Sequence, residues 1–116
     1  MNRAAVHDAG RESAILAAAP LSVLQAEAGR NANDARIVVP YIRALFDAGD
    51  YATAFAEAKR LQQGNPGASA AHVLVADVAA AMGNYEEALN ALEQARSIRF
   101  SEPVMLRTVE VLRAKG

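Results

Sequence analysis

The stretch GDYATAFAEAKRL at residues 49–61 recurs as GNYEEALNALEQA at residues 83–95, so the two copies lie 34 residues apart. A glycine, a tyrosine and an alanine coincide in the two copies: Gly49 and Gly83, Tyr51 and Tyr85, Ala54 and Ala88. The same offset also relates apolar positions before the glycine. A constant period of this length indicates structural units that stack on one another.

Each copy predicts two helices. In the first copy, apolar side chains before Gly49 follow the spacing of one helix face: Val38, Tyr41, Ile42, Leu45 and Phe46. Asp34 is the predicted N-cap of this helix, and Gly49 ends it because glycine adopts the left-handed conformation without a Cβ penalty. Asp50 is the predicted cap of the second helix.

The second copy follows the same plan. We expect Ser69 and Asn84 to cap its two helices and Ser101 to cap a last helix. Glu87, three residues after Asn84, can return a capping-box hydrogen bond. Second helices are predicted to turn the following side chains inward: Tyr51, Ala54, Phe55, Ala58 and Leu61, then Ala88, Leu89, Leu92, Ala95 and Ile98. The predicted apolar stripe of the last helix is Leu106, Val109 and Leu112.

Pro40 disturbs this plan, because proline inside a helix removes one hydrogen bond and clashes with the preceding turn. The first helix therefore either begins near Val39 or runs from Asp34 with an irregular first turn, and we favour the second alternative.

The period, the two helices per unit and the Gly-Asp/Asn-Tyr turn resemble the tetratricopeptide repeat. Pro66 stands where that family places its closing proline, whereas the family's tryptophan is missing from both copies. The resemblance implies an all-α, right-handed superhelix of antiparallel helix pairs with about 6–7 helices. Residues 35–68 and 69–102 are the expected repeats, and residues 103–116 a capping helix or the start of a third repeat.

Two repeats need further cover, because each buries its apolar face only against its neighbours. Residues 1–34 are therefore expected to form an N-terminal cap or a degenerate repeat. Within them we predict a helix inside residues 3–18 and another from Pro20 to Ala28, with Leu21, Leu24 and Ala28 facing inward.

Composition excludes several classes of protein. The 116 residues contain 28 alanines, no cysteine and no tryptophan, so a disulfide scaffold and a cysteine metal site are excluded. A net charge of -1 argues against a nucleic-acid binder, because neutralisation of phosphates usually requires a basic protein. Membrane insertion is not expected, since no uninterrupted apolar run reaches about 18 residues.

No motif for catalysis or nucleotide binding is present. His7 and His72 are far apart in sequence, and His72 is expected to be a packed structural histidine. Glu86 and Glu87 open a helix, where carboxylates favour the positive end of the dipole. We therefore expect no enzyme activity, no cofactor and no metal.

The resemblance implies a concave groove lined by the first helices of the repeats. The groove residues that it implies are Arg36, Val39, Arg43, Phe46, Val73, Asp77, Arg107 and Val111. Such a surface suits a partner segment with apolar side chains between charged anchors. Alternatively, Arg43, Asp77 and Arg107 only pair with each other. The lysine and asparagine clamp of the chaperone-binding family members is absent.

Three functions remain open. The chain is a non-enzymatic module that binds a protein or peptide in the groove, a self-assembling unit that forms a homo-oligomer through its open ends or groove, or an accessory domain of a larger bacterial secretion, envelope or enzyme protein.

Overall fold

The structure, a computed structural model, describes residues 20–116. The helix predicted inside residues 3–18 lies outside this range. The described part of the chain is helical and contains no strand. Its six helices are α1 (Leu21–Arg30), α2 (Ala35–Asp47), α3 (Tyr51–Gly64), α4 (Ser69–Ala81), α5 (Tyr85–Ile98) and α6 (Glu102–Lys115).

Each helix packs mainly against the helices that precede and follow it in the chain. Because short connections join neighbouring helices, consecutive helices run antiparallel. The helices α2 and α3 lie inside residues 35–68, and α4 and α5 lie inside residues 69–102. The result is an all-α solenoid of helix pairs, as predicted.

The turn inside each helix pair depends on a glycine with positive φ, +83° at Gly49 and +78° at Gly83. In the first turn the Asp50 N–H donates to the Leu45 carbonyl at 2.9 Å, and the Gly49 N–H donates to Phe46 at 3.0 Å. The second turn repeats both hydrogen bonds. This Schellman arrangement satisfies carbonyls at the end of one helix while the next residue caps the following helix.

Replacement of Gly83 by alanine is predicted to destabilise the fold by about 1–2 kcal/mol. No atom lies within 4 Å of the position that a Cβ would take, so the cost comes from the left-handed backbone alone. Urea unfolding followed by circular dichroism measures it. Gly29→Ala is the matched control, because Gly29 is an exposed helical residue with equally open surroundings and alanine there should stabilise the protein. Equal effects of the two substitutions would contradict the role of the turn.

Alanines occupy the contacts between paired helices. Ala54 and Ala58 on α3, and Ala88 and Ala95 on α5, are all 0% exposed. Larger side chains such as Leu24, Ile42 and Leu92 fill the remaining core. Small residues let helix axes approach closely, so these four alanines suit the close contact within each helix pair.

Ala88→Leu is predicted to overpack the contact between α4 and α5 and to destabilise the protein by about 1–3 kcal/mol. The melting temperature and urea midpoint check this effect. Ala52→Leu is the control, since Ala52 is exposed on α3 and the same added volume should change stability by less than about 0.5 kcal/mol. An unchanged melting curve for Ala88→Leu would place Ala88 outside the contact.

Four of the predicted helix caps are confirmed and one is wrong. The side chains of Asp34, Asp50, Asn84 and Ser101 each accept a backbone N–H of the first turn. Ser69 is instead the first residue of α4, and Ala68 takes the cap position without a side-chain hydrogen bond.

Glu87 does not form the predicted capping-box bond. The N–H of Asn84 donates to the carbonyl of Ala79 at 2.9 Å, because the glycine turn already uses it. The Glu87 carboxylate accepts a hydrogen bond from Lys59 Nζ at 2.8 Å, which joins α5 to α3.

The helix α2 begins at Ala35 and continues through Pro40, so the alternative start near Val39 is wrong. The cap at Asp34 accounts for the early start, because its side chain accepts the Arg36 N–H and its carbonyl accepts the N–H groups of Ile37 and Val38. Pro40 leaves one carbonyl of the first turn without its usual intrahelical donor.

Several predicted inward-facing residues lie at the surface. Leu21 and Tyr51 are 39% and 37% exposed, although Leu24 and Ala28 are buried as predicted. Tyr51 packs on Phe46 across the glycine turn, with ring centroids 5.1 Å apart. The predicted stripe of α6, together with Ile98, is also exposed, whereas Val104 and Val111 are the buried residues of α6. The helix packs on α5 through the face opposite the one that its largest apolar residues indicated.

Candidate protein-binding groove

The first helices of the array, α2, α4 and α6, border one open groove of about 510 Å³. The loop between α5 and α6 contributes Arg99 and Ser101 to its lining. The residues that line the groove are Val39, Arg43, Ser69, Ala70, Val73, Leu74, Asp77, Arg99, Ser101, Pro103, Val104 and Arg107. Half of these residues are aliphatic, and the charged groups are three arginines and one aspartate.

The structure brings together five of the eight residues that the sequence assigned to the groove: Val39, Arg43, Val73, Asp77 and Arg107. Phe46 lies in an adjoining cavity of about 440 Å³ between α2 and α4, which shares Arg43 and Asp77 with the groove. The groove and this cavity form one continuous surface along the first helices.

Arg36 and Val111 lie elsewhere. The Arg36 guanidinium binds the carboxylate of Asp34, with Nη2 and Oδ2 3.2 Å apart, and this hydrogen bond lowers the pKa of Asp34. Val111 is only 6% exposed and lines a further cavity of about 260 Å³ between α4, α5 and α6, which shares Asp77 and Arg107 with the groove. Neither residue is among those that line the groove.

The charged groups of the groove differ in their partners. Arg107 Nε donates to Asp77 Oδ1 at 2.9 Å, and Arg107 Nη1 donates to the Pro103 carbonyl at 3.4 Å. Within residues 20–116, Arg43 and Arg99 form no ion pair. Mutual pairing therefore accounts for Asp77 and Arg107 but not for Arg43, and the groove carries an excess of positive charge.

Sequence reasoning missed Arg99, Pro103 and two serines of the groove wall, Ser69 and Ser101. Arg99 lies in the loop after α5, outside any helical pattern. The residue 34 positions earlier is Asn65, whose side chain donates to the Leu61 carbonyl, so the repeat itself gave no sign of an arginine that faces the groove.

The tetratricopeptide repeat family model matches residues 45–106, just over half of the chain. The chain belongs to the tetratricopeptide repeat family. Proteins of this family generally bind other proteins and generally act as non-enzymatic modules. A search among curated proteins found no match.

A buried polar contact outside the groove lining joins the two tetratricopeptide repeats. His72 on α4 is 3% exposed, and its Nε2 lies 2.8 Å from the Pro66 carbonyl. Because a carbonyl only accepts, Nε2 carries the proton, and Nδ1 accepts from the Gln62 amide at 2.8 Å. The histidine therefore fixes the end of α3 and the loop after it against α4.

His72→Leu is predicted to destabilise the protein by about 1–3 kcal/mol, because the buried Gln62 amide loses its partner. Urea unfolding measures the loss. The double variant Gln62→Leu/His72→Leu should recover part of it, since removal of both polar groups leaves less unsatisfied polarity. Equal or greater destabilisation in the double variant would contradict this account.

The acidic residues at the start of α5 form ion pairs with neighbouring helices in this repeat array. Glu87 binds Lys59, and Glu86 binds Lys115 at the end of α6. In the described part of the chain, no three His, Asp or Glu residues are grouped so that they could hold a metal ion. None of the six helices is long and apolar enough to cross a membrane.

Proposed function

We propose that this repeat protein binds an acidic segment of a partner protein in the groove formed by α2, α4 and α6. The observation that carries the proposal is the presence of two arginines, Arg43 and Arg99, that line an aliphatic groove without an ion pair among the described residues. A carboxylate of the partner would supply the missing counter-charge.

The aliphatic walls favour a segment that also carries apolar side chains. Val39, Val73 and Leu74 are partly buried and remain accessible from the groove. An extended or helical peptide would place aliphatic side chains against these residues and its carboxylates against the arginines. Hydrogen bonds between arginine and carboxylate are charge-assisted and fix the orientation of the bound segment.

The Arg107–Asp77 pair is expected to shape the groove wall more than to strengthen the binding of a partner segment. Both side chains are about two-fifths exposed, so the pair itself adds little stability. It holds the Arg107 side chain between α4 and α6 and thereby shapes the groove wall next to Val73.

A random peptide library displayed on phage and selected on the immobilised protein tests the proposal. We expect enriched peptides to combine acidic and aliphatic residues. Calorimetry then measures the affinity of an enriched synthetic peptide, which should fall with added salt because exposed charges are screened. Amide shifts in NMR spectra should locate the peptide near Val39, Arg43, Val73 and Arg99.

The double variant Arg43→Glu/Arg99→Glu should weaken peptide binding by about 2 kcal/mol or more, with unchanged helix content. The matched control is Arg60→Glu/Arg96→Glu, which changes the net charge equally on α3 and α5, outside the groove. Each control arginine pairs only with an exposed or partly exposed glutamate one turn away, so its loss costs little. Equal weakening by both double variants, or shifts confined to another face, would refute the groove.

A further inference from the structure

The last helix exposes the face that the preceding first helix buries. Five positions of α6, Met105, Leu106, Val109, Leu112 and Arg113, are exposed. The positions 34 residues earlier on α4 are all buried: Ala71, His72, Val75, Val78 and Ala79. In α4 this face is covered by neighbouring helices, whereas nothing in residues 20–116 covers it in α6.

This uncovered face is a continuous apolar strip. Met105, Leu106, Val109 and Leu112 are between 40% and 53% exposed and follow the spacing of one helix side. We name these four residues the α6 strip. On an ordinary protein surface, exposed apolar residues are scattered singly. Four large apolar side chains in one continuous row form a patch, and such patches mark interfaces.

Residues of opposite charge flank the two ends of the α6 strip. Glu102 lies four residues before Leu106 and Arg113 lies four residues after Val109, so both lie on the same side of the helix. They are about 16 Å apart along the axis. Both are exposed, and neither forms an ion pair within the described range.

We propose that the α6 strip binds the α6 strip of a second copy of this chain in an antiparallel orientation. A twofold axis near the middle of the strip places the apolar residues of the two copies against each other. The same axis places Glu102 of each copy at the end that Arg113 of the other copy occupies. The surface is therefore complementary to itself in both hydrophobicity and charge, as a twofold interface requires.

The antiparallel orientation follows from the charges. A parallel pair would set Glu102 against Glu102 and Arg113 against Arg113 of the second copy, and like charges repel. Head-to-tail stacking of α6 on α1 is the other geometry that the solenoid offers, because α1 exposes Leu21 and Val23 at the opposite end. A single helix face gives a small interface, so we expect a reversible dimer of micromolar affinity or weaker.

This inference does not depend on the proposed peptide groove. Val104 and Arg107 line the groove and none of the four strip residues does, although Leu106 shares a neighbouring cavity with Arg107. Loss of dimerisation would leave peptide binding unaffected, and loss of peptide binding would leave the dimer unaffected.

Sedimentation velocity of the whole chain, from low micromolar to several hundred micromolar, tests the apolar contact. The unmodified chain should associate reversibly, and Val109→Asp should weaken association by about a hundredfold because each dimer buries two copies of Val109. Val23→Asp on α1 is the matched control and should leave association unchanged. A monomer throughout the range overturns the proposal, and so does equal weakening by Val23→Asp, which would indicate head-to-tail stacking.

Charge reversal tests the orientation with substitutions that leave the apolar strip intact. Glu102→Arg and Arg113→Glu should each weaken association by about three- to tenfold, because each puts two like-charged pairs into an antiparallel dimer. Mixing the two variants should restore association, since a mixed dimer pairs opposite charges at both ends. Single variants that associate as well as the unmodified chain, or a mixture that fails to recover, overturn the antiparallel pairing. Circular dichroism of each variant confirms that the helices are intact.

Discussion

A positive φ at two glycines sets the conditions for the whole array. At Gly49 and Gly83 the chain leaves one helix and enters the next within three residues, and the backbone N–H after each glycine satisfies a carbonyl of the helix that has just ended. Because the turn is so short, the two helices of a pair must cross closely near it. Close crossing in turn requires small side chains, which is why Ala54 and Ala88 follow the glycines at the same distance. Ala54 and Ala88 are thus tied to the turn that precedes them.

The period predicted the repeated part of the fold well, because its signals are local. Caps such as Asp50 and Asn84 accept hydrogen bonds from backbone groups three residues away. A glycine that ends a helix affects only the backbone of the turn before it. The prediction failed at Ser69, which has a preferred capping side chain but is the first residue of α4, so that Ala68 takes the cap position without a side-chain hydrogen bond. It also failed for α6, because an apolar stripe tells which side of a helix needs cover but does not tell whether a neighbour is present to supply it.

The groove residues, too, could be predicted from the sequence only in part. Repeat positions on α2 and α4 could be assigned from the period, and Val39, Arg43, Val73 and Asp77 do share one surface. Arg99 could not, because a loop residue follows no helical spacing and its direction is set by the packing of α5 and α6. Pairing of Arg107 with Asp77 likewise depends on the distance between adjacent first helices, which no single repeat specifies.

The buried contact of His72 with Gln62 and Pro66 has a consequence for how such a protein can change its partner. This contact fixes the second repeat on the first, and none of its three residues lines the groove. The angle between repeats determines how far apart the arginines of the groove stand. Binding preference can therefore evolve through substitutions at this buried contact between the repeats. Such substitutions would widen or narrow the groove while every residue that touches the partner stays the same.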